Sequence, residues 1–223
     1  MRTLAILGAG GHGKVVADCA ELIRWDKIHF YDDAWPEKAK DEHWPVLGNT
    51  QGLLERARQY AGVFVAIGDG RRRCERIDEL HHQGAHVVTL LHPRAAVSRY
   101  AVLGMGSVMV AGAVINAFAR TERGCVINTA ATVGHDCTLG IGVHVAPGAN
   151  IAGNVVIEDH AWIGIGARII QGIQVGAGAV IGAGATVIDH VPAGVTVVGT
   201  PARPVGRKTA QRSISHWAVS ARN

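Results

Sequence analysis

Ala131-Thr132-Val133-Gly134-His135-Asp136-Cys137-Thr138-Leu139-Gly140-Ile141-Gly142-Val143-His144-Val145 carries an aliphatic residue at Val133, Leu139 and Val145, six positions apart. The same beat extends in both directions without a slip of register, from Val97, Leu103, Met109 and Ile115 to Val175, Ile181 and Val187. Thr121 is the one member that is not aliphatic. Two residues before each member the side chain is usually small, as at Ala113, Ala119, Cys125, Ala131, Cys137, Ala149, Ala167 and Ala185. A period of six fits neither the 3.6 of a helix nor ordinary hairpins; fixed short periods mark solenoids. Each six-residue unit then supplies one short strand. Its aliphatic and small residues point inward, the residue between them points outward, and the second and third residues beyond form a corner.

The bulk properties agree. Glycine is abundant at 29 and aromatics are scarce at 5%, which suits tight corners around a narrow interior. The 223 residues hold one large or two small domains. The formal charge of +4 is concentrated at the end: Arg203, Arg207, Lys208, Arg212 and Arg222 meet no acid, and without them the body is at −1. Such a tail reads as a solvated terminus, and no basic face of the kind that binds nucleic acid is present. Cys19, Cys74, Cys125 and Cys137 form no CxxC pair, and Cys125 and Cys137 fall on small-residue positions of the repeat. No segment approaches the ~20 apolar residues of a membrane span, so a cytoplasmic protein is expected.

Residues 1–92 read differently. Strands are expected at Thr3 to Leu7, Ile28 to Tyr31, Val63 to Ile67 and His86 to Leu91. Helices are expected at Gly13 to Arg24, Leu53 to Tyr60 and Arg71 to Gln83, with a polar loop from Ala34 to Asn49. This alternation argues for a small parallel, Rossmann-like α/β sheet. The rhythm changes at His92-Pro93, giving domains at 1–92 and 93–205 with a tail at 206–223. Gly8, Gly10 and Gly13 satisfy GxGxxG between strand and helix, so backbone N–H groups there could hold a phosphate. Asp32 stands 19 residues past Gly13, close to where a ribose-binding acid stands in a NAD enzyme. A segment of 92 residues is too short for two mononucleotide halves, which argues against a dehydrogenase.

The hexads Leu139-Gly140, Ile163-Gly164, Val175-Gly176 and Ile181-Gly182, ending in Val198-Gly199-Thr200-Pro201-Ala202, resemble the hexapeptide-repeat acyltransferases. With Gly8-Ala9-Gly10-Gly11-His12-Gly13 in front, the chain to about Val205 is similar to bacterial nucleotide-sugar N-acetyltransferases, a family that includes sialic acid O-acetyltransferases. The resemblance implies a left-handed parallel β-helix of triangular section, three hexads to a coil and a little over five coils. It also implies a homotrimer with acetyl-CoA between adjacent β-helices and no metal. Gly10, Gly11 and His12 would meet the phosphates or sugar of a nucleotide sugar, with Asp32, Asp33 and Gly68 near the base and ribose. A UDP-linked 4-amino-4,6-dideoxy sugar is the first expectation; dTDP- and GDP-linked sugars and O-acetylation of a sialic acid are alternatives.

His135 and Asp136 fall on the corner of their hexad, and Gly153 follows 18 residues on, one coil away at the same corner. Histidine, with a pKa near ~6.5, can take a proton from an amine attacking a thioester, and a carboxylate can fix its tautomer. The pair matches the family's histidine–acid pair, although relatives often carry glutamate where Asp136 stands. His144 is expected on an outward flat face, able to join His135 only across a subunit boundary. The resemblance implies His144, Gly153, Ile165 and Ala183 as coenzyme contacts; relatives carry glycine at the last position. Cys137 beside the pair is a rival nucleophile that the repeat turns inward. Asp159-His160 and Asp189-His190 read as surface turns. Two other functions remain: a zinc-dependent β-helix hydratase using His135, His144 and His160, and a noncatalytic nucleotide-sugar sensor.

Overall fold

The computed structural model describes residues 1–205; the tail at 206–223, expected to be a solvated terminus, lies outside the described residues. The N-terminal part runs β1 (Thr3–Leu7), α1 (Gly11–Leu22), β2 (Lys27–Tyr31), β3 (Lys40–Asp41), β4 (Trp44–Pro45), α2 (Thr50–Arg56), β5 (Gly62–Val65) and α3 (Gly70–His82). A three-stranded parallel sheet has the order β2-β1-β5. β1 is apolar from Leu4 to Leu7 because both its faces are covered there. Leu4 and Ile6 share one core with Val16, Ala17 and Ala20 of α1. Ala5 and Leu7 share another with Leu53 of α2 and with Ile77 and Leu80 of α3.

Two elements differ from expectation. The polar loop from Ala34 to Asn49 contains the small antiparallel hairpin β3–β4. Trp44 is drawn into the α1 side of the core, and its indole N–H donates to Glu21 Oε1 at 2.8 Å. The strand expected over His86 to Leu91 is reduced to a bridge between Val63 and Val87, followed by Leu90–Leu91. That second piece pairs with Val108–Met109 of the solenoid, so the chain enters the coil from within one apolar run.

The solenoid is a parallel β-helix of three sheets, in which each strand pairs with the one 18 residues on, as Val114–Ile115 pairs with Thr132–Val133. Its axis is filled by the aliphatic and small positions, with Ile127, Val133, Leu139, Ala131 and Cys137 fully buried. Thr121 is tolerated because its Oγ1 accepts the Gly104 N–H at 3.2 Å. The third residue beyond the aliphatic position turns the corner with positive φ, except at Tyr100 and His190. Glycine takes that position at Gly112, Gly124, Gly142 and Gly166, and Phe118, Ala130, Asp136, Asn154 and His160 hold the same left-handed backbone.

The face built from Val108–Met109, Val126–Ile127, His144–Val145, Trp162–Ile163 and Val180–Ile181 is covered by the N-terminal domain and is called the docked face below. Val108 and Val126 join the core formed by Leu4, Ile6 and α1. Arg73 of α3 fixes the contact and is fully buried. Its Nε donates to the Gly124 carbonyl at 2.8 Å and Nη2 to the Gly142 carbonyl at 2.9 Å, both on one edge of the coil. Its Nη1 donates to the carbonyls of Ile67 and Gly68, at 2.7 and 2.8 Å, in the loop after β5. Gly70 lies so close to the Gly142 carbonyl that no Cβ fits there. His12 and His144 meet under this cover with ring centroids 6.3 Å apart, and His144 stacks on Trp162 at 4.0 Å. Burial first, and the Arg73 charge second, push the His12 pKa down to about 4 and that of His144 to about 3.

Replacing Arg73 with Met keeps the length and strips the four carbonyls of their donor; chemical denaturation is expected to give a loss of about 3 kcal/mol. A loss below about 1 kcal/mol would show that the guanidinium does not hold the contact. The two buried imidazoles also predict acid lability. Below pH about 6.5 the unfolded chain takes up protons that the folded chain refuses, so stability present above that pH falls as the solution is acidified towards about 4. Melting measured at pH 7 and pH 5 should differ by on the order of 2 kcal/mol. His144→Gln should reduce that slope, and an unchanged slope would refute its origin in these groups.

Candidate active site

The corner at Gly134–Cys137 lies between the strands Thr132–Val133 and Thr138–Leu139, on the edge opposite the docked face, called the far edge here. His135 and Asp136 project from it, with side chains 68% and 55% exposed. Asp136 holds φ 58°, the left-handed turn of its register, and this swings its carboxylate back to the imidazole. His135 Nδ1 and Asp136 Oδ2 are 2.7 Å apart, so the short aspartate side chain reaches the imidazole. Gly153 sits one coil along, where a Cβ would overlap the His135 ring at Nε2. Its φ is not left-handed, so glycine serves here by leaving room. With Nδ1–H donated to Asp136, Nε2 carries the free lone pair and can accept a proton. Cys137 is no rival: its thiol is buried against the Ala152 carbonyl at 3.1 Å, and burial raises its pKa.

The other expected residues fall into separate places. Gly10 and Gly11 open α1 with nothing within 4 Å of a Cβ built on either, and Gly68 is equally open. No side chain caps α1 and no acid lies in its first turn, so its N–H groups and dipole face outward unopposed. Gly8 and Gly13 serve close packing instead, since Cβ atoms there would strike the Ala66 and Gly8 carbonyls, respectively. Asp32 accepts from Ala9 N at 2.8 Å and Ala34 N at 2.9 Å, so it fastens the glycine loop to the end of β2. Asp33 accepts from Thr50 N at 2.9 Å, and that bond holds its carboxyl below the usual range.

His144 is outward with respect to the coil, as its register requires, but it is buried under the N-terminal domain and is not on an open face. Periodicity within the coil carries no information about the domain that covers it. Ile165 and Ala183 stand one coil apart on the edge that follows the docked face, linked by Gly184 N to the Ile165 carbonyl at 2.8 Å, and Ile165 is exposed. On one chain, then, His135, Asp136 and Gly153 lie together; His12, Gly68 and His144 lie together; and the two sets face opposite ways.

His160 is not a simple surface turn. With Trp162, Gly68, Asp69 and Arg71 it lines a cleft of about 340 Å³ beside the docked face. Its Nδ1 has no partner, and burial followed by the Arg71 charge lowers its pKa. Asp159 accepts the Ile141 N–H at 2.8 Å. Asp189 and His190 lie at an exposed bend, and His190 Nδ1 accepts Gln174 N of the preceding coil at 2.9 Å. His135, His144 and His160 occupy the far edge, the docked face and a third edge. Among the described residues no three His, Cys, Asp or Glu side chains gather as a metal site. Sequence reasoning missed Arg73, yet it stands four residues before Ile77 and seven before Leu80, on the buried stripe of α3.

Comparison with known proteins identifies relatives of both parts of the chain. Residues 3–80 match the PglD N-terminal domain and residues 154–189 match the bacterial transferase hexapeptide (six repeats). The chain is 39% identical over 218 residues to GDP-perosamine N-acetyltransferase of Escherichia coli O157:H7, covering 93% of this chain and 98% of that one. The acetyltransferase domain of PglB from Neisseria gonorrhoeae FA1090, solved with acetyl coenzyme A, superposes with a TM-score of 0.88 at 40% identity, over 92% of this chain and 99% of that one. PerB from Caulobacter crescentus, solved with CoA and GDP-perosamine, gives 0.87 at 34% identity, over 92% and 98%. From its glycine loop to its last coil, the chain belongs to the bacterial nucleotide-sugar N-acetyltransferases.

Proposed function

We propose that the protein moves the acetyl group of acetyl-CoA onto the amine of a nucleotide-linked 4-amino-4,6-dideoxy sugar, with His135 as the base. The observation that carries this reading is the 2.7 Å pairing of His135 with Asp136 on an exposed corner that Gly153 keeps clear. The neutral amine attacks the thioester carbonyl while Nε2 removes its proton; Asp136 steadies the imidazolium through Nδ1–H. The Gly153 N–H, which has no backbone acceptor among the described residues, can face the oxyanion. Collapse of the intermediate breaks the C–S bond, and the thiolate of coenzyme A recovers the proton from His135.

The nucleotide diphosphate would lie at the open N-terminus of α1, over Gly10, Gly11 and His12, with Gly68 alongside and Asp32 and Asp33 at the base and ribose. His144, Gly153, Ile165 and Ala183 would meet the coenzyme. Because the far edge and the docked face of one chain point apart, a complete pocket calls for a second copy, which supports a homotrimer with sites between subunits. Full-length similarity to proteins that are named for GDP-perosamine, or were solved with it, favours GDP over the UDP expected first. A cytoplasmic setting, where both substrates are made, belongs to the same reading. Among the described residues no helix is long and apolar enough to cross a membrane.

Thiol release from acetyl-CoA against GDP-, UDP- and dTDP-linked 4-amino-4,6-dideoxy sugars tests the reading. One of them should be consumed, with the GDP-linked sugar fastest. His135→Ala should lower kcat by at least ~10³-fold without loss of folding, and retained turnover would remove His135 as base. Gly153→Ala should keep its melting point yet lose about 100-fold in activity, since its methyl displaces only the end of the imidazole.

A further inference from the structure

The far edge has a second feature that the acetyl-transfer chemistry leaves unused. Tyr100 and Phe118 stand two coils and one coil before Asp136, at the same position of the repeat. Their rings stack with centroids 5.3 Å apart and planes inclined by 21°. Both are largely exposed, Tyr100 at 58% and Phe118 at 56%. Phe118 also holds φ 63°, where a bulky residue is strained and where the adjacent hexads place glycine, at Gly112 and Gly124. An aromatic side chain in that backbone, pointed into solvent, gains nothing from the core of the coil. The Asp136 N–H donates to the Ala117 carbonyl at 3.1 Å, so the Phe118 corner is the rung directly beside His135 and Asp136. On the other side of the pair the same position is held by Asn154, and the next by Gly172. The edge is therefore apolar on the N-terminal side of the imidazole and open on the C-terminal side.

We infer that the Tyr100–Phe118 stack is the acceptor platform: the C–H face of the sugar packs on Phe118 while the amine reaches His135 Nε2. This rests on the acetyltransferase reading above. Gly153, proposed there for the coenzyme and the oxyanion, lies one coil C-terminal to His135 on the same edge, so the thioester carbonyl sits on that side. The amine must approach from the other, where Phe118 is the first rung. One rung, roughly 4.8 Å, is the reach of a single pyranose ring. Apolar C–H groups suit an aromatic face, and a sugar that lacks its 6-hydroxyl offers more of them than one that keeps it. Phe118 thus acts on acceptor choice while His135 acts on the proton.

Steady-state kinetics of the full chain with acetyl-CoA and GDP-perosamine, and with the UDP- and dTDP-linked counterparts, tests this. Phe118→Ala should raise the KM of the accepted nucleotide sugar about tenfold, Tyr100→Ala less, and Phe118→Tyr should restore it. The KM of acetyl-CoA, inhibition by the sugar-free nucleoside diphosphate and the sedimentation of the oligomer should all stay as in the wild type. An unchanged sugar KM would overturn the platform, as would a change confined to acetyl-CoA, to the free nucleotide or to oligomer size, the last marking a subunit seat. A wild type that acetylates none of the sugars would instead bring down the underlying reading, and the platform with it.

Discussion

One guanidinium holds the two halves of the protein in register. Arg73 reaches from α3 to carbonyls on two successive coils and to the loop carrying Gly68, with no carboxylate among those partners. Carbonyls at corners have a free lone pair, and a buried planar cation with five donors is the side chain that can satisfy several at once. The charge has no carboxylate hydrogen-bonded to it, only Asp69 acting at a distance, and it acts in turn on what lies near. His12 and His144, already penalised by burial, are kept neutral by it, so the floor beneath the glycine loop offers lone pairs and N–H groups and no further charge. Removing the clamp would alter the geometry of the loop and the electrostatics of the floor together.

The coil was readable because its constraint is local and repeated. Every sixth side chain from Val97 to Val187 must fit the same narrow prism, so one sequence pattern specifies core, strand and corner. His135 and Asp136 could be placed on an exposed corner from register alone. The N-terminal elements were readable in kind but not at their ends. Their strands are short runs with apolar residues on both faces, and tertiary pairing settled where each began, as with Leu90–Leu91 joining the solenoid. Two things had no signal in the repeat: which of the three faces would be covered, and by what. His144 therefore read as open when it is stacked beneath a domain, and Arg73 was not singled out within its helix. The spacing of Arg73 to Ile77 and Leu80 held the clue, obscured because arginine on an apolar stripe is uncommon.

The site has two kinds of glycine, and they separate structure from chemistry. Gly8, Gly13 and Gly70 admit no Cβ because backbone stands against them, and they set how closely strand, helix and coil approach. Gly10, Gly11 and Gly68 have empty space above them, and Gly153 has only the end of an imidazole. The first set builds the scaffold; the second leaves a surface where a phosphate or an acyl carbonyl can reach the main chain.

The six-residue unit also divides labour within itself. Two positions fill the prism and tolerate little, while the corner residues touch almost nothing inside the coil. A change at a corner therefore leaves the axis undisturbed, and its effect is felt by whatever docks along the edge. Since each corner repeats at a fixed rise, the edge behaves as a graduated rail on which proton acceptor, aromatic plate and vacancy can be set at chosen heights. One mark on that rail can be exchanged with the spool beneath left as it is.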